Sequence, residues 1–236
     1  MGESVNGNYT FIISGASGGL GSYLVKEFSR EDKVIGTYYK HMPATAGADV
    51  EYHHVDVRSG DDVSKFAKAI APKLKNVVLL NLAGVSIDGV GHKVDEETWD
   101  MVVDTNLRGT LLMCRHLLPV MREQAWGRIV NISSIVAQVG IPGTVAYSAS
   151  KSGILGLTRT LAAENASKGI TVNALALGYF SIGMIRVLSP ELQEQTLQKI
   201  PMHRFGDPRC LVAAIRFLIE CDYMTGTVLN INGGLH

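Results

Sequence analysis

Two rhythms of apolar residues alternate along this chain. Short β-branched runs read as strands. Between them lie longer stretches whose apolar residues return every third or fourth position, the period of a helix. YTFIISG, residues 9–15, is the first strand, and GGLGSYLVKEFSR follows as a helix with Leu20, Tyr23, Leu24 and Phe28 on one stripe. KVIGTYY and VEYHHVDV are the second and third strands. Ser59 and Asp62 have the spacing of a capping box, ahead of a stripe of Val63, Phe66, Ala67 and Ile70. NVVLLNLAG is apolar without alternation, as a strand buried on both faces must be. A long helical stretch at about 96 to 122, the strand GRIVNISSI, a helix at 147 to 167, and the strands GITVNALAL and GTVLNING complete the pattern.

Strand and helix alternating in this way predict an α/β fold: a doubly wound, Rossmann-type parallel sheet of about seven strands, helices on both faces, in a single domain over residues 1–236. Ligands of such sheets lie beyond the carboxyl ends of the strands. Gly15, Asp56, Asn81, Ser134 and Gly178 all fall at that edge. One irregular excursion, about 179–207, carries its own helical piece SPELQEQTLQKI and has the length of a lid over a substrate.

Composition removes several function classes. Lys plus Arg and Asp plus Glu are 22 each, so there is no net charge to favour nucleic acid or an anionic membrane surface. Apolar runs are strand-sized, far short of a bilayer span. No basic start followed by an apolar core suggests a signal peptide. Cys114, Cys210 and Cys221 are widely spaced, as free thiols in a reducing compartment are, and a cytoplasmic location is expected. His53 and His54 are neighbours on a strand and point to opposite faces, so they do not share a metal, and no metal is expected.

Chemistry enters at SGASGGLG, the first strand-to-helix turn. Gly15, Gly19 and Gly21 permit a tight turn and close approach of backbone to phosphate. The helix start at Gly18, Gly19 and Leu20 offers free N–H groups, and Ser14 and Ser17 add hydroxyls. A dinucleotide would then place its ribose at the end of the second strand. An acid there would bind a ribose diol; this chain has Thr37 and Tyr38, followed by Lys40. A missing carboxylate with a nearby cation favours a 2′-phosphate, hence NADP(H), with NAD(H) possible. Asp56, after the third strand, would accept the adenine amino group or simply start a helix.

Eight tyrosines give a single Tyr-x-x-x-Lys pair, Tyr147 and Lys151, one helical turn apart among small residues. A phenol is a poor base at neutral pH, and a cation one turn away would stabilise its phenolate. In ketone reduction the phenol gives its proton to the developing alkoxide; in the reverse direction the phenolate takes it back. Ser134, at the end of a strand, would hydrogen-bond the substrate oxygen. Lys151 would also hold the nicotinamide ribose. Asn106 lies within a helical stretch that it suits poorly. Its carbonyl would hold a water linking Lys151 to solvent, or its side chain would simply bond backbone.

SGASGGLG, the DV at Asp56, NLAG at Asn81, Asn106, Ser134, YSASK and ITVNALALG fall in the order and spacing of the short-chain dehydrogenase/reductase family, which the chain resembles throughout its length. Within that family GRIVNISSI, IPMHRFGDP and TGTVLNINGG are most similar to bacterial 3-oxoacyl-acyl-carrier-protein reductases. The resemblance implies a catalytic tetrad of Asn106, Ser134, Tyr147 and Lys151. It adds Val57, Asn81, Ala83, Gly84 and Gly178 to the cofactor-binding residues, and it implies a homotetramer packed partly through the 96–122 helix. The implied activity is NADPH-dependent reduction of a 3-oxoacyl thioester carried on acyl-carrier protein or CoA. Alternatives are another ketone or secondary alcohol, such as a sugar, polyol or steroid, and a non-catalytic nucleotide-binding role. Three positions depart from the family pattern: Leu82 replaces an Asn, Leu177 a Pro, and Ile182 the Thr that bonds the nicotinamide carboxamide. Gly18 also stands where many NADP-dependent members have Arg. Ser134, Val136, Gln138, Tyr147 and Tyr179 are the expected substrate-lining residues, with Ile141 and Met184 nearby. Arg122, Arg128 and Lys168 are the cations considered for an acidic carrier.

Overall fold

A computed structural model of the chain describes residues 9–43 and 50–236. Seven parallel strands form one sheet, ordered β3-β2-β1-β4-β5-β6-β7. They are β1 (Thr10–Ser14), β2 (Lys33–Tyr38), β3 (Val50–His54), β4 (Val77–Asn81), β5 (Gly127–Ser134), β6 (Ile170–Leu177) and β7 (Val228–Ile231). The helices are α1 (Gly19–Phe28), α2 (Gly60–Ile70), α3 (Glu96–Val103), α4 (Gly109–Glu123), α5 (Val145–Asn165), α6 (Pro190–Lys199) and α7 (Arg209–Glu220). The Rossmann-type single domain expected from the alternation is the fold observed. β3 is shorter than its apolar pattern: it ends at His54, and Val55–Val57 leave the sheet.

The central strands β1, β4, β5 and β6 are buried along their whole length, which explains why their sequences do not alternate. Each face carries its own core. On one side Ile12, Leu79 and Ile129 pack with Phe66, Ile70, Met113 and Leu117 of α2 and α4. On the other, Phe11, Ile13 and Leu80 pack with Leu24 and Phe28 of α1 and Leu211 and Ile215 of α7, with Phe11 and Phe28 rings stacked at 4.1 Å. Ser59 caps α2, its side chain accepting from Asp62 N, as the capping-box spacing predicts.

The helical path expected over about 96–122 is unbroken, but one turn changes its hydrogen-bond pattern. After α3, a five-residue π turn, Asp104–Arg108, carries Asn106 before α4 begins. Helix α7, absent from the sequence reading, places Leu211, Ile215, Leu218 and Ile219 against the sheet.

β1 lies between β2 and β4, so the chain leaves the sheet in opposite directions on its two sides and opens a crevice at the carboxyl edge. Ser14 at the end of β1 ties that edge together: its Oγ accepts from the backbone N–H of Leu82 (3.1 Å) and Ala83 (3.2 Å).

Candidate active site

The glycine-rich turn is built so that backbone meets backbone. Gly15 has φ +70°, and a Cβ there would lie 2.8 Å from Ala83 N and Cα; a Cβ on Gly21 would collide with the Gly15 carbonyl. α1 starts at Gly19 with no side-chain cap and no acid in its first turn. Its N–H groups thus face the crevice without an intramolecular acceptor from a side chain, and the positive end of the helix dipole lies there with them. A bare, uncapped helix start behind a turn with no room for side chains fits a dinucleotide's phosphates. Ser17 and Gly18 are exposed beside it. Ser14, in contrast, is buried and spends its oxygen on the β4 loop.

Beside this turn β2 finishes with buried Thr37 and half-buried Tyr38, whose ring meets His54 edge-on at 5.6 Å; Lys40 is exposed two residues further on. Asp56 is already paired. Arg58 donates to it from Nε (2.9 Å) and Nη2 (2.7 Å), and this pairing holds the Asp56 carboxyl below its ordinary range. The same guanidinium lies 5.2 Å from the Tyr39 ring centroid and donates to its hydroxyl at 3.2 Å. Sequence reasoning missed Arg58 and Tyr39, because a charged residue two positions after Asp56 carries no motif. Val57 is buried and packs on Gly109, where a Cβ would lie 2.8 Å from its Cγ2.

Ser134 ends β5, and Tyr147 and Lys151 sit one turn apart near the start of α5. The Ser134 Oγ accepts from Val136 N at 3.4 Å. Lys151 is 4 % exposed; its Nζ donates to the Ile132 carbonyl at 2.8 Å and lies 5.6 Å from the Tyr147 ring centroid. Burial pushes the Lys151 ammonium down from its ordinary 10.5 to about 8. The Tyr147 phenol is raised, chiefly by burial, with Ser134 pulling the other way and Tyr179 adding to the rise. Helical spacing alone had suggested a phenol lowered by the lysine. In this structure burial dominates instead, and the ammonium is turned toward a backbone carbonyl.

Asn106 is fully buried and bridges three elements. Its Oδ1 accepts from Val85 N (2.8 Å), and its Nδ2 donates to Val85 O (2.9 Å) and Ser150 Oγ (3.0 Å). Its main-chain oxygen accepts from the Thr110 hydroxyl at 2.7 Å. The Oδ1 has one bond here and so keeps a second lone pair. A Cβ on Gly84 would lie 3.1 Å from Asn106 Oδ1 and 3.6 Å from Lys151 Nζ, so the absent side chain leaves room at the amine. Asn81 turns its side chain into the core, donating to Asn131 Oδ1 at 2.8 Å, while its own Oδ1 is buried with no partner among the described residues.

Around this group Val136 is buried, Gln138 buries an Oε1 with no partner among the described residues, and Tyr179 is half-buried with its phenol raised by burial and by Asp88. Ile141 is half-buried and Met184 exposed. Two loops bordering the site are stapled: Gly89 N donates to the Gly143 carbonyl at 2.7 Å, within a parallel bridge of Gly89 with Thr144. Gly178 is pressed against Asn232, leaving no room for a Cβ. Residues 179–207 lie between β6 and α7 and carry α6, with Phe180 bridged to Gly206. Of the cations considered for an acidic carrier, Arg128 is buried and bonded to three carbonyls, Arg122 donates to Asn165 Oδ1, and Lys168 is exposed. All three lie at the amino edge of the sheet, opposite Tyr147. No helix among the described residues is long and apolar enough to cross a membrane.

This fold and site have known counterparts. A family profile described as enoyl-(acyl carrier protein) reductase matches residues 15–236. The chain belongs to the short-chain dehydrogenase/reductase family, and is an NAD(P)-dependent oxidoreductase acting on CH–OH and C=O groups. It is 35% identical to the 3-oxoacyl-[acyl-carrier-protein] reductase FabG of Staphylococcus epidermidis, over 97% of this chain and 99% of that protein. The Staphylococcus aureus protein of the same description is also 35% identical, over 95% and 97%. Nodulation protein G of Azospirillum brasilense is 34% identical over 95% and 97%.

Proposed function

We propose that the protein reduces a 3-oxoacyl thioester, carried on acyl-carrier protein or CoA, to the 3-hydroxyacyl thioester, as a cytoplasmic homotetramer that prefers NADPH. The observation that carries this reading is the set of Ser134, Tyr147 and Lys151 at one sheet edge, around a space that Gly84 leaves free. The reduced nicotinamide supplies the hydride when bound. Ser134 donates to the ketone oxygen, and Tyr147 delivers a proton to that oxygen as it becomes an alkoxide, so C=O becomes CH–OH. A phenol raised by burial is protonated at neutral pH, the form that reduction requires. Lys151, with one bond spent on Ile132 O, has donors left for ribose hydroxyls and for the phenolate that follows proton transfer. Asn106 holds Val85 and the loop beyond it in place. NADPH is favoured by the absent acid at the end of β2 and by Lys40 and Arg58 nearby. The thioester is favoured by the descriptions of the relatives.

A second substrate class, a smaller polar ketone, is favoured by Tyr179, Asp88 and Gln138 beside the site. The test is loss of reduced-nicotinamide absorbance with an acetoacetyl thioester, NADPH against NADH, beside a panel of polar ketones. Faster NADPH consumption with the thioester is expected. Turnover of a polar ketone with none of the thioester overturns the substrate. Dinucleotide binding without turnover of anything overturns catalysis.

A further inference from the structure

Strand β5 ends in two serines that face opposite sides of the sheet, because successive strand side chains alternate. Ser134 is the one beside the Tyr147 phenol. Ser133, 2 % exposed, turns the other way, and its hydroxyl donates to the main-chain carbonyl of Lys151 at 2.9 Å. Lys151 lies well inside α5, so that carbonyl also serves the helix ladder and takes the Ser133 hydroxyl on its second lone pair. The far end of the same residue is held by the preceding strand residue, since Lys151 Nζ donates to the Ile132 carbonyl at 2.8 Å. Two successive residues of β5 thus grip Lys151 by its main chain and by its ammonium. Thr158, two turns further along α5, has a single tie to the strand: its Oγ1 accepts from Asn131 Nδ2 at 2.9 Å.

The Lys151 carbonyl would stay paired within the helix without Ser133, so loss of that hydroxyl strands no acceptor. The bond matters for where it acts. Tyr147 lies one turn before Lys151, on the same face of α5. A slide of the helix by one residue would carry the phenol about 1.5 Å past Ser134. A misplacement of about 1 Å in a reacting geometry can cost about 10² in rate.

We infer that Ser133 is a positioning residue for the reduction: it fixes the height of α5 against β5 at Lys151, and with it the alignment of the Tyr147 phenol and the Lys151 ammonium with Ser134. The inference rests on the function proposed above. Ser133 acts through the helix backbone, on the face of the strand turned away from the reacting groups.

The experiment compares wild type, Ser133→Ala, Ser133→Thr and Thr158→Val in the full chain. Threonine keeps the hydroxyl in a residue that suits a strand. Thr158→Val keeps the shape but leaves Asn131 Nδ2 buried without its acceptor, so it loosens the same seam two turns away from Lys151. Single-turnover loss of reduced-nicotinamide absorbance is followed with NADPH and the ketone that wild type reduces. KM, dinucleotide Kd by calorimetry, Tm, and amide hydrogen exchange along α5 are measured beside it. Ser133→Ala is expected to slow the single turnover about tenfold and to speed exchange around Lys151, with KM, Kd and Tm close to wild type. Ser133→Thr is expected to restore both rate and exchange. Thr158→Val is expected to lower Tm further while turning over as wild type does. Ser133→Ala with wild-type rate and exchange overturns this inference and leaves the function standing. Equal slowing in Ser133→Ala and Thr158→Val reduces the effect to a loose seam and also overturns it. So does Ser133→Thr that melts as wild type does yet is as slow as Ser133→Ala. Wild type that reduces no ketone overturns the functional reading and this inference with it.

Discussion

The two edges of the sheet each bury a cation without a carboxylate against it, and they do so differently. At the amino edge Arg128, 6 % exposed, donates to the carbonyls of Ile219 (3.0 Å), Gly127 (3.0 Å) and Gly169 (3.2 Å), and its guanidinium lies 4.6 Å from the Trp126 ring centroid. Trp126 in turn stacks on Tyr9 at 5.5 Å. At the carboxyl edge the Lys151 ammonium has one bond among the described residues, to Ile132 O. A buried charge is tolerated only when its donors are satisfied. Arg128 meets that condition from its own chain, locking together the ends of α7 and the turn before β6. Lys151 Nζ has a single bond to Ile132 O, and burial pushes its ammonium down to about 8; burial lowers the Arg128 guanidinium as well. Arg128 is tied into the fold by its own chain, whereas Lys151 keeps donors that the proposed function assigns to ribose hydroxyls.

The contrast can be broken in several ways. The largest effect is expected from Tyr147→Phe, which removes the proton donor of the proposed mechanism. Steady-state kinetics should show kcat down by about 10²–10⁴, with dinucleotide affinity by titration unchanged. Crossed replacements come next. Arg128→Met leaves carbonyls stranded and should cost about 2–4 kcal/mol in chemical denaturation, while turnover per folded molecule stays as in wild type. Lys151→Met should lose about 10² in kcat and bind dinucleotide more weakly, yet denature no more easily than wild type, because it removes an unsatisfied charge. Equal stability losses in the two variants would erase the distinction between the edges.

A smaller effect concerns pH. Lys151 titrates at 10.5 in an unfolded chain and at about 8 here, so between those values the unfolded chain holds the extra proton. Stability relative to Lys151→Met should therefore climb as pH rises from about 8 toward 10.5, and stay flat below 8. Dinucleotide affinity should fall over the same range as the ammonium is lost. Paired melting and binding curves of the two proteins across that range would check both. Smallest is Trp126→Leu, which uncovers the Arg128 guanidinium and should cost about 1 kcal/mol, read as a modest drop in Tm.

Fold class was legible because burial on both faces writes itself into β4 as a continuous apolar run and into β5 and β6 as largely apolar, non-alternating stretches. Of the candidate site, the sequence made legible that Tyr147 and Lys151 lie one helical turn apart, as they do on α5, with Ser134 at the end of a strand. The π turn at Asp104–Arg108 was hidden, because its backbone stays helical and only the hydrogen-bond pattern changes. Arg58 was hidden for another reason: its pairing with Asp56 is local, but its contacts with Tyr39 and Met101 exist only after three separate elements have met. The state of the Tyr147 phenol was also beyond the sequence. Helical spacing reports which groups are near, and only packing reports how much water each has lost.

The staple between Gly89 and Gly143 makes the rim of the site asymmetric. One side is a fixed jamb, pinned backbone to backbone; the other is an excursion whose helix buries nothing. Variation in ligand size must then be absorbed almost wholly by the loose side. For an engineer this separates two design problems. Residues along α6 can be diversified to retune what fits, while the jamb and the groups behind it keep their alignment.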